Sequence, residues 1–386
     1  MTIGSDVQLD ITRRQYLVTG SAVGGSLVAG CTGSGTEESS TDGSSQSADD
    51  SYTVEMAPVG KLGFESPPER VTHYFPDYAD MAVALGHGDS ILSMGLPSRF
   101  HTNHYDELDG VSVDTSSITK LNGDKGVIDK EIFYELDGDL HLIDPQWLIN
   151  NTAFGLEASD VDEIAENVSP FIGNSIFRRS DDWHDYEYYT LYEAFEKVAE
   201  IHREEEKFDR LKTFHDEFIA EIEADLPAAE GRPNALLTFA AADDPEKFYP
   251  YRVSDQGTNK KQFHDLGITD ALAETGIEGL STTDRGQIDY ETMLEVDPDS
   301  ILVRGHEDKS RQEFAATVLA YMKDHETASE LTAVQNDMVF RGGPIYSGPL
   351  HHLFLVERYA TGYYPETYSG ELFDRSELAG IVTGGY

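Results

Sequence analysis

Residues 204–226 read EEEKFDRLKTFHDEFIAEIEADL and contain no glycine or proline before Pro227. Apolar side chains recur there at three- and four-residue steps, which predicts an amphipathic helix roughly 35 Å long at 1.5 Å per residue. The predicted buried stripe consists of Phe208, Leu211, His215, Phe218 and Ile222. Because a block of strands and helices precedes this helix and a similar block follows it, we interpret it as a single strut between two lobes. The alternative is an ordinary surface helix inside one larger domain.

Strand and helix patterns alternate on both sides of the strut. Short apolar strands occur at 70–75 and 90–95 in the first block and at 234–239 and 297–303 in the second. This alternation implies right-handed crossovers and a mostly parallel sheet. We therefore predict an α/β fold of two lobes, each with a mostly parallel sheet flanked by helices, joined by a single long backbone helix. The predicted divisions are a signal at 1–31, a linker at 32–51, an N-terminal lobe at 66–203, the bridging helix at 204–226 and a C-terminal lobe at 227–386.

The composition narrows the class of protein. The chain has 386 residues, with 28 Lys and Arg against 72 Asp and Glu, for a formal charge of −44. Such a charge excludes a nucleic-acid partner, because a phosphate backbone needs a basic face. Aromatic residues make up 10% of the chain, which is too much for a disordered acidic protein. Since the acids are spread along the whole length, adaptation to high salt is favoured over a polyanionic surface for cations.

The first fifty residues look like an export signal and a tether. Residues 12–17 read TRRQYL, a twin-arginine motif, and the weakly apolar run at 18–29 is too short to span a bilayer. Residues 28–31 read VAGC and match a lipobox, in which Cys31, the single cysteine of the chain, is the lipidated residue. One cysteine also excludes an intrachain disulfide. Residues 32–51 are a flexible polar linker. We therefore expect the mature protein to be tethered to the outer face of the cytoplasmic membrane. The alternative to an export signal is that the two arginines occur by chance before a buried helix.

Aromatic and cationic residues are concentrated in the loops that leave the predicted strands. In parallel sheets, ligands meet the loops at the carboxyl ends of the strands. Aromatic rings beside fixed cations are suited to binding an extended, partly apolar anion. The alternative is that each arginine forms an ion pair with a neighbouring carboxylate and does not bind a ligand. The candidate ligand-binding residues are Tyr78, Arg99, Trp147, Phe177, Arg178, Arg179, Tyr249, Arg304, Arg341 and Tyr346.

Two groups of histidines are candidate metal ligands. His101 and His104 lie near Asp106 and Glu107, and the adjacent pair His351–His352 lies further along the chain. Imidazole and carboxylate groups bind zinc, manganese or iron, but the spacing matches no known metal motif. We therefore favour solvated loop histidines and predict no metal site.

Enzymatic function is the second class of hypothesis. The sequence contains no HExxH, no GxSxG, no Gly-rich phosphate loop and no paired cysteines. We therefore expect a binding protein rather than an enzyme, with no cofactor. A surface-attached interaction or sensor protein of the same fold is the remaining alternative.

Three motifs give the chain a resemblance to a known family. Residues 68–86 begin PERV and end LG, residues 139–143 read DLHLI, and residues 288–303 contain IDYE followed by DPDSILV. Together they resemble ABC-transporter substrate-binding proteins that carry ferric siderophores, haem or cobalamin, over roughly 68–359. The resemblance implies two α/β lobes joined by one long helix, and this agrees with the fold predicted from the residues themselves. It also implies that the rigid helix permits only a modest movement of the lobes toward each other.

The resemblance also implies a partner and a cargo. An ABC permease with its ATPase docks on acidic residues at the top of each lobe, which makes Asp80 the first-lobe candidate, with a helix cap as the alternative. Glu291 matches another family position, with a purely structural role as the alternative. The expected cargo is an iron(III)-siderophore-type chelate, for which Arg99 lies where hydroxamate binders place an arginine and Trp147 can stack. Cobalamin, haem or a free metal ion is the alternative cargo, and the protein is expected to be a monomer.

Overall fold

The computed structural model describes residues 51–273, 275–276 and 286–385. Its strands are β1 Tyr52–Met56, β2 Gly60–Phe64, β3 Val71–His73, β4 Ile91–Met94, β5 Thr119–Lys120, β6 Leu140–Leu142, β7 Phe171–Ile172, β8 Asn234–Phe239, β9 Tyr249–Tyr251, β10 Thr269–Asp270, β11 Ser300–Arg304 and β12 Val339–Arg341. Its α-helices are α1 Pro76–Ala84, α2 Glu131–Leu136, α3 Pro145–Asn150, α4 Ala158–Asn167, α5 Leu191–His202, α6 Glu205–Asp225, α7 Lys261–Asp265, α8 Tyr290–Val296, α9 Arg311–Phe314, α10 Ala320–Asp324, α11 Thr332–Gln335, α12 Pro349–Tyr363 and α13 Arg375–Thr383. The predicted export signal, the linker and Cys31 lie outside the described residues, apart from Ser51.

Each lobe is built on a parallel sheet. The first-lobe order is β5-β4-β3-β6-β7, and every neighbouring pair is parallel. The second-lobe order is β10-β8-β11-β12, also parallel, with β9 antiparallel beside β8. The antiparallel hairpin β1–β2, which precedes the first lobe, was not predicted. The α/β fold class is confirmed.

The long helix α6 has the buried face that the sequence predicted. Its buried residues are Phe208, Leu211, His215, Phe218 and Ile222, which are the five members of the predicted stripe. They pack against α5 of the first lobe and against the C-terminal helix α13. Burial of this stripe, rather than helix propensity, stabilises the helix, because its remaining faces are charged. No helix among the described residues is both long and apolar enough to cross a membrane.

The hydrophobic core has two parts. One cluster runs through the first lobe and α6 to one face of the second-lobe sheet, and it includes Leu237 of β8 and Leu302 of β11. The other lies on the opposite face of that sheet and includes Leu236, Ile301 and Val303. Successive strand residues point to opposite faces, so one strand serves both clusters. The second lobe is therefore covered on both faces, as parallel sheets require.

The two lobes also meet directly where α1 packs against α12. Asp80 of α1 is only 2% exposed, and its Oδ2 accepts hydrogen bonds from the backbone N–H groups of Leu350 (2.9 Å) and His351 (3.2 Å). Its Oδ1 accepts one from the Tyr105 hydroxyl at 2.5 Å. The Asp80 carboxylate therefore accepts hydrogen bonds from N–H groups at the N-terminus of α12, a helix of the other lobe, which have no partner within that helix. The prediction that Asp80 docks on a permease is wrong in this structure, because a buried and fully engaged carboxylate cannot reach an external arginine.

Candidate ligand-binding cleft

A cavity of about 320 Å³ lies between the lobes. The first lobe contributes the segments that follow β3 and β4 and the residues around α3, whereas the second contributes β9, the residues before α7 and the segment after β12. This volume lies within the usual range of small-molecule sites, about 300–1,000 Å³. Its lining residues are Tyr74, Leu96, Arg99, Asn122, Trp147, Asn151, Ala153, Phe154, Phe177, Arg178, Tyr251, Asn259, Lys260, Ile345 and Tyr346.

Aromatic rings form a continuous wall of the cleft. Trp147 stands edge-to-face to Phe177, with ring centroids 5.5 Å apart, and to Tyr74 at 5.9 Å. Phe177 in turn meets Tyr346 of the second lobe at 4.9 Å. The wall therefore crosses from one lobe to the other. Such interlocked rings offer a rigid apolar surface whose faces also attract cations.

Three cations share this cleft with the aromatic wall. The guanidinium of Arg178 lies 5.4 Å from the Trp147 ring and is held by two 2.6 Å hydrogen bonds to the Asp181 carboxylate. Arg99 lies 6.0 Å from the Tyr346 ring, and it has no ion pair with a carboxylate of the described residues. Lys260 is almost completely buried, with its Nζ 3.7 Å from an Asp255 oxygen. Burial lowers the pKa of Lys260 to about 8, and this effect outweighs the attraction of Asp255.

Arg304 lies beside this cleft, at a neighbouring cavity of about 200 Å³. Its side chain is 1% exposed, and it donates hydrogen bonds to the carbonyls of Asn259 (2.5 Å) and Gly342 (3.2 Å). Its guanidinium lies 5.0 Å from the Tyr251 ring. Arg304 thus holds the backbone on the second-lobe side of the cleft in place, and its positive charge lies next to the cleft without lining it.

A close backbone crossing holds the two walls together. Gly257 of the second lobe has φ +141°, and a Cβ at this position would lie 2.3 Å from the carbonyl oxygen of Phe177. The next residue, Thr258, donates its N–H to the Ile176 carbonyl at 3.0 Å. Only glycine permits this approach, because any side chain would collide with first-lobe backbone.

The structure brings about half of the predicted site residues together. Arg99, Trp147, Phe177, Arg178 and Tyr346 line the cleft, and Arg304 adjoins it. Whether they contact a ligand stays a prediction.

Four other predicted residues lie elsewhere. Tyr78 is buried in α1 and donates its hydroxyl to the Asn174 carbonyl, so it belongs to the core. Arg179 donates to the Tyr186 carbonyl at 2.6 Å, and Tyr249 accepts a hydrogen bond from Gln287. Arg341 donates to the backbone of Glu307, away from the cleft. None of these four lines the cleft cavity, so the structure does not bring them together with the other predicted site residues.

Sequence reasoning missed several cleft residues. Tyr74 directly follows β3, whereas the predicted strand at 70–75 includes it, so the sequence pattern does not show its position at the strand exit. Tyr251 lies in β9 two residues after the predicted Tyr249, and it lines the cleft cavity whereas Tyr249 does not. The sequence does not indicate that Lys260 is buried, because lysine is ordinarily exposed and only tertiary packing buries this one.

The loop histidines are less solvated than predicted. His104 and His351 are both buried and stack with ring centroids 4.3 Å apart, and His101 contacts Asp308 at 3.1 Å. The interpretation as solvated loop residues is therefore wrong for His104, His351 and His352, because neighbouring helices and loops bury all three. A second inter-lobe cavity of about 420 Å³ is lined by His101, His104 and His351, together with Glu107 and Glu307.

Comparison with known proteins supports the resemblance inferred from the three motifs. Solved structures with this fold include a periplasmic binding protein from Veillonella parvula, 15% identical with a TM-score of 0.57 over 82% of this chain and 98% of that chain. The iron uptake ABC transporter substrate-binding protein PiuA from Streptococcus pneumoniae is 14% identical, with a TM-score of 0.57 over 82% and 100%. The heme binding protein HmuT is 16% identical, with a TM-score of 0.53 over 84% and 93%. No curated protein matches the chain.

At these identities the structural likeness shows the fold alone, and the family assignment comes from the sequence. The model of the family described as periplasmic binding protein matches residues 71–346, well over half of the chain. The two-lobed fold, the strut and the cleft all agree with that match. The chain therefore belongs to the periplasmic binding protein family, whose members bind and deliver ligands for ABC importers and are not enzymes.

Proposed function

We propose that this protein captures an iron(III)-siderophore-type chelate in the inter-lobe cleft and delivers it to an ABC permease. The observation that carries the proposal is the charge of the cleft. Although the chain contains 72 Asp and Glu, none lines this cavity among the described residues, whereas Arg99, Arg178 and Lys260 do. Cations beside an aromatic wall favour an anionic ligand with apolar surface, which describes many ferric chelates.

The cellular setting is part of the same proposal. The twin-arginine motif at 12–17 and the lipobox ending at Cys31 support export of the folded protein and its lipid anchoring on the outer face of the cytoplasmic membrane. The evenly distributed acidic residues support work at high salt, where surface charges are screened. A tethered protein whose two lobes move little relative to each other then holds its cargo near the permease. Release follows if the permease binds the open form better than the closed form.

The proposal is tested by titrating the purified full-length protein in molar salt while following tryptophan fluorescence. Trp147 and Trp183 are the only tryptophans, and their rings lie 6.3 Å apart beside the cleft. The panel contains ferric hydroxamates, ferric catecholates, ferric citrate, haem, cobalamin and free metal ions. We expect saturable quenching by one class of ferric chelate. Saturation only with haem, only with cobalamin or only with free ions would replace the proposed cargo, and no response would overturn it.

Replacing Arg99 by Gln is expected to lower the affinity for an anionic ferric chelate about 10-fold, equivalent to about 1.4 kcal/mol. The reason is that Arg99 lines the cleft without an ion pair to a described carboxylate. The salt dependence of binding should weaken as well. Isothermal titration at two salt concentrations provides the measurement, with the exposed Lys120→Gln as the control. An equal loss in both variants would show that only the net charge matters.

The affinity for an anionic chelate is expected to fall as the pH rises from 7 to 9.5. Burial lowers the pKa of Lys260 to about 8, so its ammonium is charged below that pH and neutral above it. Loss of this charge removes an attraction inside the cleft. Titrations across the pH range should therefore show a decline centred near pH 8 in the wild type that is absent in Lys260→Met. A parallel decline in both proteins would assign the effect to the ligand instead.

A further inference from the structure

Three side chains from different helices meet where the bridging helix joins the second lobe. They are His215 of α6, Asp265 of α7 and His352 of α12, and one candidate ligand atom of each lies within 4.8 Å of the others. One ring nitrogen of His352, Nε2, lies 2.8 Å from Asp265 Oδ2, and the two imidazole rings are 5.6 Å apart. Both histidines are buried and Asp265 is 14% exposed, and none of the three lines the cleft cavity.

The cluster leaves nitrogen atoms without partners. His215 Nε2 and His352 Nδ1 are buried and form no hydrogen bond within the described residues. An unpaired polar atom in the interior costs stability, so such atoms call for an explanation. Two imidazoles and one carboxylate are a common ligand set for zinc and neighbouring divalent ions.

We propose that His215, Asp265 and His352 bind a divalent transition-metal ion of the zinc type. The ion would connect α6, α7 and α12, and thereby fix the strut to the second lobe. This site differs in place and chemistry from the cleft, and the proposal does not depend on which cargo the cleft takes. Since the ion binds the folded chain, its binding should raise thermal stability with concentration.

Lys261 competes with the ion. Its ammonium lies 2.9 Å from both oxygens of Asp265, one turn away on the same helix. The side chain is 25% exposed, which gives the ammonium a route to solvent when a cation binds. The proposal therefore predicts opposite signs for two substitutions: loss of a histidine weakens metal binding, whereas loss of Lys261 strengthens it.

The test uses the full-length chain carrying Cys31→Ser, so that no thiol contributes. Co²⁺ is titrated by its visible absorption, and Zn²⁺ is titrated by displacement of Co²⁺. We expect one ion per chain, an affinity lowered about 10-fold or more in His215→Gln and His352→Gln, and an affinity raised about fivefold in Lys261→Met. His351→Gln is the matched control, since this neighbouring buried histidine contacts His104 instead.

Several outcomes would overturn the proposal. These are no saturable binding by the Cys31→Ser chain, unchanged binding in His352→Gln, an equal loss in His351→Gln, or weaker binding in Lys261→Met. If the histidine variants fail to fold, X-ray absorption of the zinc-loaded Cys31→Ser chain decides the matter, because the proposal requires two imidazole ligands. Ferric-chelate affinity, measured in parallel, should stay unchanged in His352→Gln, so failure here leaves the proposed function intact.

Discussion

Asp80→Ala is expected to lower the free energy of unfolding by about 4 kcal/mol, the largest stability effect that we predict. The carboxylate accepts hydrogen bonds from the N–H groups of Leu350 and His351 and from the Tyr105 hydroxyl. Removing it leaves all of these donors unpaired in a buried interface between the lobes. Chemical denaturation in molar salt, followed by circular dichroism, measures the change.

Gly348→Ala should destabilise the same contact by steric overlap. A Cβ at Gly348 would lie 2.5 Å from the Cβ of Asp80 and 2.6 Å from the carbonyl oxygen of Asp77. Asp106→Ala is the control, because this exposed carboxylate lies next to Tyr105 and its loss should change stability by less than about 0.5 kcal/mol. If Asp80→Ala kept full stability but lost stimulation of the permease ATPase, the docking role rejected above would be restored.

Trp147→Ala is expected to weaken binding of the ferric chelate about 30- to 150-fold, or about 2–3 kcal/mol. Trp147 contacts Tyr74 and Phe177 and lies against the Arg178 guanidinium, so it orders both the aromatic wall and one cation. Its loss removes a large apolar contact with the ligand and also frees these neighbours to move. Isothermal titration is the measurement, since fluorescence changes with the substitution itself.

Two further variants separate ligand contact from general disorder. Trp147→Phe keeps an aromatic ring and should recover most of the affinity. Trp183→Phe is the matched control, because Trp183 contacts Trp147 at 6.3 Å but does not line the cleft cavity. Equal losses in Trp147→Ala and Trp183→Phe, or full affinity in Trp147→Ala, would remove Trp147 from the binding site.

The local chemistry of the cleft was only partly predictable from the sequence. Arg99, Trp147 and Tyr346 were found because each leaves the end of a parallel strand, and such ends lie at one edge of a sheet. Arg179 follows Arg178 directly, yet its side chain turns to the Tyr186 carbonyl instead of the cleft. Strand order places a loop at the cleft, but side-chain direction within the loop depends on neighbours that lie far away in sequence.

The sequence by itself determined the two-lobed α/β fold and the long helix, because hydrophobic periodicity is a local property that fixes which face of each element is buried. The five-residue stripe of α6 could thus be read directly from residues 204–226. Only the tertiary structure decided what Asp80, Lys260 and His352 do. Asp80 meets the N–H of Leu350 across 270 positions, and His352 meets Asp265 across 87. Such pairs depend on how helices that lie far apart in the sequence pack together, and no local pattern records that packing.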